Sequence, residues 1–482
     1  MRLFLIGWTD KNSGLYDVAV KLKEKGHKIV YWASPDIFKE VDVFKFPDTI
    51  FHDSFGALEV RPAPEADVSD FLPVSAELAK EFYETEIAVL TMMNKKYERL
   101  SVDERKHLYY QLLSYWLGIL KRYRPEAIIF QLLPHSVYDF IVYEVAKKLN
   151  IKTLIFKVTI LDDRVFLIDD YKIYPFLPDT GKNLSGNSRL EDLSGDIRES
   201  YLRFKENRKN GQNAHIYVRN MLEANSGGNL IRKKLKIGLN SLRDLSIFKK
   251  LYLFFKRQFQ MNPKTEYLSV QSPADWNKKF IYVSLNYQPE CTTSPQGGVF
   301  VDQILMIEAL SSVLPAGWMI YVKEHPMQWV RRGWAYFSYR YQGYYQKIVG
   351  LKNVKLVPIE TDGSELIRNC IAVANVTGSS AFEAVLKLKP ALMFGYEWFQ
   401  NCPGVFRVSG PEDCRRALEV IKNGAVHTEE QIINYLALVD KFSLRGYIYP
   451  DRQAYLPVGS KENSENLSGA LLSELDKIKN LS

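Results

Sequence analysis

The stretch IAVANVTGSSAFEAVLKLKPALMFG, residues 371–395, decides the fold. Ile371–Val376 is a short apolar run of the buried-strand type. Thr377-Gly378-Ser379-Ser380 interrupts it with a glycine and hydroxyls. Ser379–Leu388 then reads as a helix. Ala391–Gly395 is apolar again. Strand, polar turn, helix and strand in this order predict a parallel α/β sheet.

The same rhythm extends in both directions. Phe280–Asn286, Trp318–Glu324 and Val354–Val357 read as strands. Asp302–Leu314 and Gly363–Asn369 read as helices, the second with Asp362 and Glu365 placed like a capping box. The N-terminal half repeats the pattern. Arg2–Gly7 and His27–Trp32 are strands around a helix over 14–25 that ends at Gly26. After a mostly helical region over 75–122, Ala127–Leu133 and Ile151–Leu161 are strands around a helix over Val137–Lys148. The expected fold is α/β, with two Rossmann-like domains. No G-x-G-x-x-G follows the first strand, which disfavours a dinucleotide site there. The expected divisions are an N-terminal domain over 1–200, a basic helical insert or linker over 201–275, a second domain over 276–440, and a helical tail over 441–482.

Composition agrees. A chain of 482 residues with 46% hydrophobic and 25% charged content is globular and long enough for two domains. Its four cysteines form no Cys-x-x-Cys pair, which fits a reducing compartment and excludes a disulfide scaffold or a cysteine zinc site. Met1–Gly7 lacks the apolar length of a signal peptide, and no apolar run is long enough to span a bilayer. The expected address is cytoplasmic. The net charge of +8 calls for an anionic partner. It is concentrated: residues 201–270 carry 15 Lys and Arg against 4 Asp and Glu, which leaves −3 for the rest.

Ligands in parallel sheets bind at the carboxyl ends of strands, and three unusual loops fall there. The first runs from Tyr287-Gln288-Pro289-Glu290 through Gly297-Gly298 to Asp302-Gln303. The second is Lys323-Glu324-His325-Pro326, which places a cation and an imidazole two residues apart, hence on one face. The third is Thr377-Gly378-Ser379-Ser380, hydroxyls at a helix N-terminus where an anion is favoured. Glu365 and Glu383 are placed to face the same cleft, where a carboxylate can hold ribose hydroxyls. Each loop alone also reads as an ordinary cap or turn; their shared edge is what makes a site.

These residues carry a resemblance. The run QPE, TTSP, GG, F and DQ, then KEHP, then TGSSAFEA and KPALMFG, resembles the capsule polysaccharide synthesis family. That family includes bacterial Kdo transferases of two Rossmann-like domains facing a cleft, the GT-B architecture. The His-Pro and Ser-Ser pairs also resemble motifs of bacterial sialyltransferases, which bind CMP-sugars. Pro134-His135-Ser136 through Asp163 resembles the first domain of such proteins. The resemblance implies that His325, Ser379 and Ser380 contact the donor phosphate, that Lys323 lies near cytosine or phosphate, and that a helix carboxylate holds the ribose. Pro326, Gly378, Gln288 and Glu290 complete the expected donor site. The acidic Asp/Glu-Asp/Glu-Gly motif of sialyltransferases is absent, the nearest string being Asp162-Asp163-Arg164.

The first domain is then expected to bind the acceptor and to supply a base, a carboxylate or an imidazole within reach of a sugar hydroxyl. His135 and Asp139 follow one strand, Asp162 and Asp163 the next, and Asp10 the first. His135 and Asp163 are preferred, with Asp139 third. No Asp-x-Asp pair occurs, so the expectation is transfer without a metal or a resident cofactor, a CMP-sugar serving as co-substrate. The domains are expected to close on the substrate and exclude water.

The segment 231–259 interleaves Lys and Arg with Ile, Leu, Phe and Tyr. Such a helix suits an anionic membrane surface, or packs Leu251, Phe254 and Phe255 on the protein with its charges in water. No nucleic-acid signature accompanies it. The expected function is a glycosyltransferase acting on a surface polysaccharide or lipid-linked acceptor, peripheral at the inner face of the cytoplasmic membrane. The alternatives are a CDP-polyol phosphotransferase of teichoic-acid type and an inactive membrane-docked scaffold.

Overall fold

A computed structural model of the chain describes residues 1–9, 12–161, 163–177, 188–206, 226–243, 248, 263–329, 340–424, 427–449 and 456–481. Asp10 and Asp162 lie outside the described residues, as do Leu251, Phe254 and Phe255.

Two sheets organise the molecule. The first contains β1 (Arg2–Ile6), β2 (Lys28–Ser34), β3 (Ile50–Asp53), β4 (Ala127–Phe130), β5 (Lys152–Val158), β6 (Arg164–Ile168) and β13 (Leu444–Arg445), in the order β13-β6-β5-β4-β1-β2-β3. The second contains β7 (Phe280–Ser284), β8 (Met319–Lys323), β9 (Val354–Leu356), β10 (Ala372–Asn375), β11 (Ala391–Met393) and β12 (Val405–Arg407), in the order β12-β11-β10-β7-β8-β9, parallel throughout. Both sheets therefore run 3-2-1-4-5 in their own strands, the Rossmann order. The direction of winding reverses between β1 and β4, and again between β7 and β10. Those two junctions are where such sheets open a crevice for a ligand.

Three details differ from the sequence reading. The run expected as one strand to Leu161 turns back at Thr159, whose hydroxyl bonds Leu161 and Arg164, and β6 then pairs antiparallel with β5. The residues 263–275, expected in the insert, belong to the second domain: Tyr267 packs on Trp329 and Tyr345, and Gln271 bridges to Leu356. The tail over 441–482 is no separate unit. β13 pairs with β6, and the helix Ser460–Leu481 sets Leu467, Leu471 and Leu475 into one core with Leu15, Val18 and Leu22. Buried Asn463 locks this return, donating to Ser13 O (2.9 Å) and Tyr447 O (3.0 Å) and accepting from Tyr447 N–H (2.8 Å).

The domains share one hydrophobic core. Phe166 meets Trp398, and Phe204 meets Phe382, with ring centroids 5.9 Å apart in each pair. Within this interface Lys157 of β5 donates to Glu397 (2.8 Å) and to Gln296 (3.3 Å), and Gln296 donates to the same carboxylate (3.1 Å). Of the insert, the helix Gly227–Arg243 is described, with Ile231, Leu235 and Leu239 exposed one turn apart.

Candidate functional site

The β7/β10 junction in the second domain is held by Asn286, which follows β7. Its Nδ2 donates to Thr377 Oγ1 (3.2 Å), and its Oδ1 accepts from Val376 N–H (3.3 Å). Gln303 clamps the Asn286 backbone from both sides, at 2.7 and 3.0 Å. Thr377 in turn donates to Thr292 O (2.6 Å), so the loop after β7 and the loop after β10 are one unit. Gly395 is required by this closeness: a Cβ there would sit 2.6 Å from Thr377 Cγ2 and 2.8 Å from Gln296 O.

The helix Ser379–Leu386 starts at Gly378 with no side chain capping it. Its first N–H groups, those of Ser379 and Ser380, have no intrahelical partner and point out of the strand ends. The Ser380 hydroxyl accepts from Asn375 Nδ2 (2.9 Å), which leaves its own proton to donate. Two strand spacings away, about 10 Å, His325 follows β8. Its Nδ1 accepts from Met327 N–H (3.2 Å), so the proton of the neutral ring sits on Nε2. Burial pushes this imidazole down to about 4. It is a neutral hydrogen-bond donor at physiological pH, resting against Tyr287 with centroids 5.7 Å apart. Pro326 is exposed beside it.

What holds His325 is a buried ion pair that spacing did not reveal. The Glu324 carboxylate accepts from Arg340 Nε (2.8 Å) and Nη2 (3.0 Å), from Tyr345 OH (2.7 Å) and from His325 N–H (2.7 Å). Both side chains of the pair are fully buried. Arg340 also donates to Asn286 O (3.1 Å) and to the Gln288 side chain, and its guanidinium lies over Tyr344 (4.7 Å). Gln328 clasps the Gln288 backbone at 3.1 and 3.2 Å, and Gln288 Nε2 donates to Val301 O (2.7 Å). Gln288, expected to touch the donor, therefore has its amide engaged by the protein and positions the loop instead. Neither Arg340 nor Gln328 stands in a motif, and only the three-dimensional fold brings them here.

The other expected donor residues divide. Lys323 ends β8; burial lowers its ammonium, with Asp362 and Glu360 pulling the other way. Glu383 is paired with Lys387 (2.8 Å), one turn along its helix. Glu365 lies in the first turn of Gly363–Asn369, half-buried, and Asp362 caps that helix through Ser364 N–H (3.0 Å) without the expected reciprocal box.

In the first domain, His135 follows β4, at the β1/β4 junction. Its Nδ1–H donates to Leu133 O (2.7 Å), because a carbonyl can only accept. Nε2 of the neutral ring is thus unprotonated and able to take a proton. Asp139 accepts from Ser136 N–H (2.6 Å); burial raises its carboxyl, while nearby His135 opposes the rise. Asp139 therefore fixes the loop that carries His135. Between them Val137 is held at φ 71°, a strained position for a β-branched residue. Asp163 is elsewhere. It lies 3.4 Å from Arg445 Nε and Nη2, and its carbonyl accepts from Gly446 N–H. Burial and neighbouring Asp196 raise its carboxyl. Its task is to dock the C-terminal return, so the structure does not support it as the base.

The two domains meet around a small open pocket of about 50 Å³. Thr91, Asn94, Lys95 and His135 line it from the first domain; Gln288, Glu290 and Ser294 line it from the second. The structure thus brings His135 together with Gln288 and Glu290 of the loop after β7, while His325, Ser379 and Ser380 do not line this pocket. Lys95, at the end of a helical stretch, was not singled out by any motif.

Residues 294–427 match the family model of capsule polysaccharide biosynthesis proteins. No curated protein matches the chain in sequence. Among solved structures, the KpsC β-Kdo 2,7 transferase of Thermosulfurimonas dismutans is 10% identical, covering 79% of this chain and 95% of its own, at a TM-score of 0.31. The UDP-GlcNAc 2-epimerase of Neisseria meningitidis, bound to UDP-GlcNAc, is 12% identical, covering 92% of this chain and 99% of its own, at 0.25. Likeness at this level says nothing of substrate. The loops after β10 and β11, with the Ser-Ser and Gly395 positions, stand inside the segment that matches this family model.

Proposed function

We propose that this glycosyltransferase moves a sugar, Kdo or a related acidic sugar, from a CMP-activated donor to a bacterial surface polysaccharide or lipid-linked acceptor. The observation that carries the reading is the interdomain pocket that sets His135, with Nε2 unprotonated, against the donor loop Gln288–Ser294. The acceptor hydroxyl attacks the anomeric carbon and gives its proton to His135. The bond from that carbon to the phosphate oxygen breaks, and CMP leaves with the electron pair. The Nε2–H of His325 and the N–H groups of Ser379 and Ser380 are donors suited to that leaving phosphate. The reading assigns no metal to this step. Lys95 supplies a cation on the acceptor side, which suits an acidic sugar.

Docking at an anionic bilayer belongs to the same proposal. Ile231, Leu235 and Leu239 stand exposed on the helix Gly227–Arg243, with Arg232 and Lys236 exposed beside them. An apolar stripe flanked by cations is the chemistry of an interfacial helix. No described helix is long and apolar enough to cross a membrane.

The test is release of CMP from CMP-Kdo in the presence of EDTA, with CDP-glycerol as the second donor. Turnover of CMP-Kdo that is lost in His135→Asn and in His325→Ala supports the reading. Turnover of CDP-glycerol alone would make the protein a polyol-phosphate transferase. No calorimetric signal with CMP, together with intact glycan assembly in His325→Ala, would leave only the scaffold. Binding to phosphatidylglycerol vesicles should fall at least tenfold when Ile231, Leu235 and Leu239 are all serine.

A further inference from the structure

Away from the cleft, a second recess of about 270 Å³ is lined by Lys205, Arg368, Lys387, Leu388 and Lys389. Four of its five lining residues are cations, delivered by three separate elements. Lys205 ends the helix Gly195–Lys205, Arg368 lies in the last turn of Gly363–Asn369, and Lys387 and Lys389 follow the helix Ser379–Leu386. In a parallel α/β unit the helices run against the strands. The C-terminal ends of the last two therefore lie at the sheet edge opposite the donor loops.

The ordinary reading is that each cation neutralises a helix C-terminus or a neighbouring acid. It accounts for part of the cluster. Lys205 pairs with Glu429 (2.6 Å) and Lys387 with Glu383 (2.8 Å). Among the described residues Lys389 donates to the Cys370 carbonyl (3.1 Å), and neither Lys389 nor Arg368 has a carboxylate partner. Two positive charges are left over, both lining one concavity. The chain turns sharply between Lys387 and Lys389: Leu388 adopts φ 57°, where a helix end ordinarily uses glycine. That turn sets Lys387 and Lys389 on either side of one leucine.

We infer that this recess binds a phosphate-class anion, a phosphate dianion or the phosphodiester of a lipid headgroup, independently of the donor site. A guanidinium grips two phosphate oxygens at once, and the lysines add point charges.

The experiment is lysine-reactive footprinting of the full chain by mass spectrometry, reading Lys389 and Lys205. The probes are inorganic phosphate, vesicles of phosphatidylcholine, and vesicles of phosphatidylcholine with phosphatidylglycerol. Severalfold protection by inorganic phosphate identifies a soluble anion. Protection by phosphatidylglycerol vesicles alone identifies a headgroup. Either result must disappear in Arg368→Glu, a change at an exposed position whose folding is checked by an unchanged Tm, and must persist in His325→Ala. No protection by either probe overturns the inference, as does protection undiminished in Arg368→Glu. Vesicle binding that leaves both lysines reactive would also overturn it, while leaving the docking helix intact.

Discussion

Removing Arg340 tests whether the buried pair with Glu324 is what sets the donor loops. In Arg340→Met the fully buried Glu324 carboxylate keeps its bonds from Tyr345 OH and His325 N–H but loses its charge partner. Breaking a buried pair in this way costs about 3–5 kcal/mol, because the remaining charge is uncompensated. At 2–4 °C per kcal/mol for a domain of this size, Tm should fall by roughly 10 °C. The same change frees Gln288 and Asn286 O, to which Arg340 donates. Two effects are thus mixed, and a second variant separates them. Glu324→Leu with Arg340→Met replaces the pair by apolar volume, which is often neutral or stabilising. Stability should then return to within about 1 kcal/mol of the parent. CMP affinity should not return. The loop that follows β7 has still lost its anchor, and the His325 backbone has lost its acceptor. Chemical denaturation reads the first quantity and calorimetry with CMP the second. A double variant that binds CMP as tightly as the parent would refute the positioning role. A single variant of unchanged stability would refute the buried-charge reasoning itself.

His135→Gln should lower kcat by about 10²–10⁴-fold, the usual contribution of a general base, with CMP affinity unchanged; equal loss of both would make His135 a donor contact. Acid should weaken the fold through His325 and His52, each lowered by burial to about 4. The unfolded rings titrate near 6.5, so the unfolded chain binds more protons between the two values. Stability present above pH 6.5 is then lost as pH falls, by about 2 kcal/mol for each ring at pH 5. Denaturation of His52→Gln against the parent at pH 7 and pH 5 checks this, since the variant should lose less on acidification. Lys157→Met should cost about 3–5 kcal/mol, because Glu397 would keep only Gln296 and the Trp398 N–H as partners. A loss under 1 kcal/mol in urea denaturation would show that the interface does not depend on that pair.

Most of the second domain could be read from its sequence, for a physical reason. In a parallel sheet covered on both faces the strands are short continuous apolar runs, and the polar residues collect at their carboxyl ends. The helix over Gly363–Asn369 and the strands around Thr377–Ser380 were legible in that way. The partners that make these loops rigid were not. Arg340 reaches Glu324 over a separation of 16 residues, and Lys157 reaches Glu397 over 240. No local periodicity encodes either pairing. Asp163 shows the converse. Its place after β5 suggested a cleft carboxylate, and only the antiparallel β6 and the returning tail show why it is held by Arg445. Asp139 is intermediate: it stands beside His135 after β4, but its carboxylate is bonded to its own loop.

The domain interface bears on how the site excludes water. Hinge closure is the default for two domains joined by a small polar contact. Here Trp398 and Phe382 of the second domain lie in one core with Phe166 and Phe204 of the first, and the ion pair of Lys157 with Glu397 sits inside the contact. Each aromatic of this kind buries 150–250 Å², so re-exposing one costs about 4–6 kcal/mol at 25 cal/mol per Å². Opening the domains would expose several at once and separate a buried charge pair. That sum far exceeds what binding one nucleotide commonly returns. The pocket between His135 and the Gln288–Ser294 loop is therefore a standing feature of the fold, and movement for entry and release falls to the loops at its rim. The strained Val137 beside His135 is consistent with that division: the surrounding core is rigid enough to hold a residue at φ 71°.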